Sequence, residues 1–263
     1  MKRVPATITN DAITVFFNGG SNPKTVSRAS PQYAAVREAL LSGAYDEAGI
    51  AEFFGIKKAL AKYTAGRVTV EEGGVYFDGV KVNSSVATRI MEFATTGLPF
   101  DPLVQFLTKL KANPSKRSTD TLFDFLDREG LTICTDGDFL AYKAITVNWR
   151  DKWTGTINNG IGATPRMPRS EVCDDPLNGC APGLHMGSHK YATDYASGDD
   201  RVVITKCNPA NVVCVPHDCS YQKIRTCGYE VQALYRGALP SFSFDIRNPY
   251  KGTKVSESEW DLR

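Results

Sequence analysis

The chain has 263 residues, 42% hydrophobic and 23% charged, with a formal net charge of +2. This is an ordinary globular composition, long enough for two modest domains. The near balance of charge counts against a protein held to nucleic acid mainly through phosphate contacts. No run of about 18 apolar residues could span a bilayer, and nothing after Met1-Lys2-Arg3 forms the apolar centre of a signal peptide.

In chain order, I-T-N-D-A-I-T-V-F-F (8–17) reads as one strand closed by Asn18-Gly19-Gly20. Ser30-Pro31 is placed to open a helix, with Ser30 as N-cap and Pro31 in the first helical position. Gly43 closes that helix. A second helix is expected over 46–63, with Ile50, Phe53, Phe54 and Leu60 inward and Lys57, Lys58 and Lys62 on a solvated face. R-V-T-V-E-E-G-G-V-Y-F-D-G-V-K-V (67–82) reads as three short strands with tight turns at Gly73-Gly74 and Asp78-Gly79. Three helices follow: one from Asn83 or Ser84, one from Asp101-Pro102, and one over 118–128 with Ser118 as N-cap.

The pattern changes after Gly130. Strands are expected over 131–134 and 139–147, then a long irregular connection over 148–178. Loops of that length are uncommon and often functional. Further strands fall at 201–206, 212–216 and 225–235, and a polar tail follows from Gly237. The expected class is α+β, with three parts. Residues 1–130 form a mixed domain, a small β element followed by helices. Residues 131–240 form a β-rich domain with one or two short helices, and 241–263 a tail.

The densest chemistry lies in C-A-P-G-L-H-M-G-S-H-K-Y-A-T-D-Y (180–195). Leu184 and Met186 alternate with His185 as in a strand, and Ser188 is an N-cap for a short helix that Gly198 stops. Backbone N–H groups at such a corner suit an anion or a polar ligand. All seven cysteines lie in the second half, with an odd count and no Cys-x-x-Cys pair, so no disulfide framework is expected. Cys173, Cys180 and His185, with His189 beyond, are zinc-type ligands, but their spacing is that of no tight zinc knuckle. No metal and no cofactor are assigned.

Several strings carry a resemblance. They are N-P-S-K-R-S-T-D-T-L-F-D-F-L (113–126), D-G-D-F-L-A-Y-K-A-I (136–145), W-T-G-T-I-N-N (153–159) and M-P-R-S-E-V (167–172), then D-D-P-L-N-G-C-A-P-G-L-H-M-G-S (174–188), N-P-A-N-V-V-C-V-P (208–216) and Q-K-I-R-T-C-G-Y-E-V (222–231). In this order they resemble the rIIB rapid-lysis protein family of tailed bacteriophages, most specifically over 113–231. The resemblance implies a protein of the host bacterial cytoplasm during infection. It implies action on lysis timing and host exclusion beside an rIIA-like phage protein; with no spanning run of residues, any membrane attachment is expected to be peripheral, through a partner. It implies no reaction and transfers no catalytic residues. Cys173, Cys214 and Cys219 depart from the family pattern, which argues against their being essential ligands.

Three function classes follow. In the first, the protein binds a host defence protein or a small nucleotide signal. Tyr142, Trp149, Trp153, His185 and Tyr191 would stack on a base. Lys143, Arg166, Arg169 and the Gly187-Ser188 corner would hold a phosphate, with Asn158 and Asn159 in the same ligand set. In the second it is an enzyme. Cys180 and His185 would form a thiolate–imidazolium pair, or His185, Tyr191 and Glu230 would line a nucleotide corner similar in order to ADP-ribosyltransferase-like folds. In the third, Lys109, Lys111, Lys116 and Arg117 would meet nucleic acid, against which stand Asp120, Asp124 and Asp127. The first class is favoured.

Overall fold

The computed structural model describes residues 4–28, 30, 32–55, 60–61, 64–71, 74–96, 101–237 and 243–244. The chain is α+β and divides into two compact units, Met1–Val104 and Gln105–Arg263.

In the first unit, β1 (Ala6–Ile8), β2 (Ala12–Phe17) and β3 (Asn22–Ser27) form an antiparallel sheet in chain order. The stretch expected as one strand is a hairpin. The Thr9 hydroxyl accepts from the N–H groups of Asp11 and Ala12, so the chain turns back on itself there. Ile13, Val15 and Phe17 alternate inward along β2. With Val26 they meet Val36 and Ala39 of α1 (Tyr33–Ser42) and Ile50 of α2 (Glu47–Glu52). Helix α1 starts two residues later than expected, at Tyr33, and the Ser30 hydroxyl accepts from Gln32 N–H; Pro31 lies outside the described residues. Gly43 ends the helix at φ 65°. Asp46 caps α2 by accepting from Gly49 N–H at 2.8 Å. The rest of the helix expected over 46–63, with Lys57, Lys58 and Lys62, lies largely outside the described residues. The three expected short strands are β4 (Val68–Glu71), β5 (Gly74–Phe77) and β6 (Val80–Lys81). Asp78 and Gly79 both take positive φ, as a two-residue primed hairpin turn requires. Helix α3 (Ser84–Thr96) turns Val86, Ile90 and Phe93 inward.

Helix α4 (Asp101–Lys111) runs across the division between the units, and α5 (Lys116–Glu129) opens the second. The α5 cap is Ser115, not Ser118. Ser115 accepts from Ser118 N–H, while the Ser118 hydroxyl is buried and donates to the Val213 carbonyl at 2.7 Å.

The second unit is built on an antiparallel sheet with the spatial order β11 (Val212–Cys214), β12 (Lys223–Thr226), β9 (Leu184–Gly187), β8 (Phe139–Ile145), β10 (Arg201–Cys207), β13 (Glu230–Leu234). Strand β7 (Ile133–Cys134) joins the start of β8 and pairs with β14 (Ser243–Phe244). Residues 245–263 of the expected tail lie outside the described residues. The strand expected over 225–235 is two strands. The chain leaves β12 after Thr226, whose hydroxyl donates to the Gly228 carbonyl, and β13 then pairs with β10 at the other side of the sheet. The short helix at the central corner is α6 (His189–Tyr195), capped by Ser188 as expected.

Several strings that read as motifs are contacts within this unit. Asn113 donates to the carbonyls of Pro209 (2.8 Å) and Val212 (2.7 Å) and accepts from Arg169, which also donates to Ala210 and Val212. Asp136 and Asp138 hold Lys206 and Lys109 in one ion-pair cluster. Gly137 between them lies so close to α4 that an added Cβ would sit 2.3 Å from the Gln105 carbonyl carbon.

Candidate functional site

Strand pairing sorts the expected ligand residues. Tyr142 is opposite Gly187, Gly187 is opposite Lys223, and His185 is opposite Arg225. Side chains alternate along a strand and match across an antiparallel pair. Tyr142, His185, Lys223 and Arg225 therefore share one face, and α6 packs on it. Lys143 is on the other face.

On the α6 face the corner is filled by protein. A Cβ at Gly187 would meet the Gln222 carbonyl at 2.2 Å and the Tyr191 ring at 2.7 Å, so this glycine lets a strand and a helix approach. Gly183, at φ 148°, lies against Val172 and the Arg225 stem. The Tyr142 ring meets His189 and Tyr235 edge-on at 5.1 and 5.2 Å, and burial pushes its hydroxyl up, with Tyr235 adding to the effect. Burial, then Tyr195 and Asp218 among other neighbours, pushes the Tyr191 hydroxyl up as well.

His185 is half-buried, and its Nε2 is buried with no hydrogen-bond partner among the described residues. Burial first, then the positive charges of Lys143, Lys223 and Arg225, push its pKa down to about 4, against a weaker opposite pull from Asp218. The imidazole is therefore neutral at pH 7. Arg225 is 0% exposed and Lys223 4%. Lys223 donates to Asp218 Oδ2 at 2.6 Å and to the Gly179 carbonyl at 2.9 Å. Arg225 donates through Nη2 to the Asp175 carbonyl at 2.5 Å and to Cys214 Sγ at 3.3 Å, leaving Nε and Nη1 unpartnered. Sequence reasoning missed this pair of cations. Their signal is K-I-R-T, two charged residues alternating inside a short strand beside apolar neighbours.

On the opposite face, Lys143 donates to the His185 carbonyl at 2.7 Å and lies over the Tyr229 ring at 5.7 Å. Burial pushes its pKa down to about 8, with Asp151 pulling the other way. Tyr229 donates to Asn159, which is 0% exposed. Asp151 organises the loop beside them. Its carboxylate accepts from Thr154 N–H (2.6 Å), the Thr154 hydroxyl (2.8 Å), Thr156 N–H (3.1 Å) and Ile157 N–H (2.8 Å). Burial pushes the Asp151 carboxyl up, but these bonds and Lys143 hold it below the usual range.

Trp153 and Asn158 lie on the exposed side of the Asp151 loop. The Asp151-pinned loop presents the Trp153 indole 85% exposed. Asn158 is exposed, bridges to Arg150, and accepts from Gly160 N–H. Lys152 ties the loop to the end of α6 by donating to Ser197 and pairing with Asp200, and it lies over the Tyr195 ring at 4.7 Å.

The other candidates separate as well. Cys180 is exposed, and His185 Nε2 is buried without a hydrogen-bond partner among the described residues, so no thiol–imidazole hydrogen bond is formed. Glu230 is exposed on β13, three strand spacings across the sheet from His185 and about four residues further along, more than roughly 14 Å away. Arg166 donates to the Tyr229 carbonyl and Arg169 to Ala210 and Val212. Of the basic cluster, Lys109 pairs with Asp136 and Asp138, Lys116 with Asp120, and Arg117 donates to the Asp174 carbonyl. Among the described residues, no group of three or more His, Cys, Asp or Glu side chains is placed to hold a metal ion, and no helix is long and apolar enough to cross a membrane.

A family model described as Bacteriophage T4 protein rIIB matches residues 2–238. Protein rIIB of Enterobacteria phage T4 is 33% identical over 224 residues, covering 85% of this chain and 69% of that protein. No solved structure matches.

Proposed function

The chain belongs to the bacteriophage rIIB family, and from that premise we propose that it acts in the cytoplasm of the infected host, on lysis timing and counter-defence, by binding a protein rather than by catalysis. The partner is an rIIA-like phage protein or a host defence protein. The observation that carries this reading is Trp153. At 85% exposure Trp153 presents a large, rigid aromatic surface of the kind that anchors protein interfaces. It sits on a loop fixed by four hydrogen bonds to Asp151, so little conformational freedom is lost when it docks. The adjoining cations are already engaged, Lys152 by Asp200 and Arg201 by the Trp149 ring at 4.6 Å, which disfavours a phosphate backbone as the occupant.

The test is co-expression of the chain with the rIIA-like protein of the same phage, followed by affinity measurement with Trp153→Ala. A hot-spot tryptophan costs about 2 kcal/mol or more on truncation, roughly a thirtyfold loss of affinity. Infection with phage carrying Trp153→Ala should then shift lysis timing as deletion of the whole chain does. Unchanged affinity for that partner and unchanged lysis timing, with the variant folded, would overturn the reading.

A further inference from the structure

The two cations of β12 are unequally compensated. Lys223 has the Asp218 carboxylate at 2.6 Å. Arg225 is wholly buried, has no carboxylate partner among the described residues, and meets only a backbone carbonyl and a thiol. Asp218 presents one further oxygen, Oδ1, also unpartnered. The tally on this face is two cations, one carboxylate and a neutral imidazole. A buried lysine or histidine can escape such a position by losing its proton; an arginine cannot. A buried charge that can neither neutralise nor pair is costly, so it favours an anion from outside.

The donors are arranged for that. Arg225 and His185 are directly opposite each other on adjacent strands, and Arg225 Nε, Arg225 Nη1 and His185 Nε2 are all buried and unpartnered among the described residues. The covering loop contributes neutral oxygens in an anion's stead: the Asp175 carbonyl on Arg225 and the Gly179 carbonyl on Lys223. Both carbonyls come from one surface segment, in which Leu177 is 80% exposed and Cys180 is exposed.

We propose that Arg225, His185 and Lys223 form a binding site for a phosphate group, which enters by displacing the Asp175 and Gly179 carbonyls. The site is separate from Trp153 and does not rest on the protein-partner reading. The phosphate is either inorganic phosphate or the terminal group of a nucleotide, and the chemistry of recognition is the same for both. The guanidinium supplies charge-assisted donors, the imidazole turns Nε2 toward the anion, and Lys223 exchanges a carbonyl for a charged oxygen.

The experiment is calorimetric titration of the full chain, at constant ionic strength set with chloride, with inorganic phosphate in one arm and a nucleoside diphosphate in the other. Saturable binding in either arm is expected, and the tighter arm identifies the source. Arg225→Met should weaken it by at least about tenfold, the scale of a charge-assisted bond. Should Arg225→Met not fold, His185→Gln serves instead, with a several-fold loss expected. An independent readout is the imidazole resonance of His185. It should shift on adding phosphate, and its titration should move upward from about 4 as the anion offsets the charges of Lys223 and Arg225. No saturable heat in either arm with folded protein would overturn the proposal. So would binding that survives unchanged in a folded Arg225→Met or His185→Gln chain.

Discussion

Acidification should expose the cost of enclosing His185. Its folded pKa is about 4 against an ordinary value of 6.5, so between these values the unfolded chain binds the proton and the folded chain does not. Stability is then fully present above the ordinary value and falls as pH drops toward 4. For a single group with these two constants the loss is about 2 kcal/mol at pH 5 and about 3 kcal/mol below pH 4. The perturbation is His185→Gln, which keeps a polar side chain facing Arg225 and does not titrate. Urea unfolding in phosphate-free buffer at about pH 7.5, 6 and 5 is the assay. The wild-type chain should lose about 2 kcal/mol more than the variant between the first and last of these. The Asp136, Asp151 and Asp200 carboxyls, each held below the usual range by hydrogen bonds and lysines, lose their contribution only as pH falls below about 4. They lie outside the window and are common to both chains. Parallel pH curves would refute the argument, because they would mean that the imidazole reaches water in the folded state.

Two further outcomes test how the second unit is held together. Gly137→Ala should destabilise by about 3 kcal/mol or more, because the new Cβ meets backbone at Gln105 and Phe106 and the position has φ 83°. Gly198→Ala is the control: also positive in φ but open around the Cβ position, it should cost only about 1 kcal/mol in the same urea assay. Equal losses would dismiss the close approach to α4. Asn113→Ala should cost about 1–3 kcal/mol, since it strips the Pro209 carbonyl of its side-chain donor and leaves the Val212 carbonyl and Arg169 Nη2 only their bond to each other. A loss below about 1 kcal/mol would mean that water already serves those groups.

What the sequence reveals, and what it withholds, follows from the range of each signal. Local signals were sufficient for L-H-M-G-S, where alternation gives β9 and the Ser188 hydroxyl gives the cap of α6. They misled at 118, because two serines three residues apart both qualify as caps, and only packing decides. Ser118 is drawn away to the Val213 carbonyl, which leaves Ser115 to the helix. The change of pattern at Gly130 is a change from helix to strand. It does not coincide with the change of packing near Val104, because α5 is fastened to β11 through that same Ser118 bond. The site was the least legible part. Strand order sets 223–226 beside 184–187, and no local pattern announces a partner that far along the chain. Tyr142 and Lys143 are expected in one ligand set, as a stacking ring and a phosphate donor, but consecutive residues of a strand face opposite ways. One faces α6 and the other the Tyr229–Asn159 cluster. The Gly187-Ser188 corner is expected to offer backbone N–H groups to an anion. Gly187 instead admits Tyr191, and Gly183 admits the stem of Arg225. In this motif the missing side chains bring a helix and a buried guanidinium against the strand.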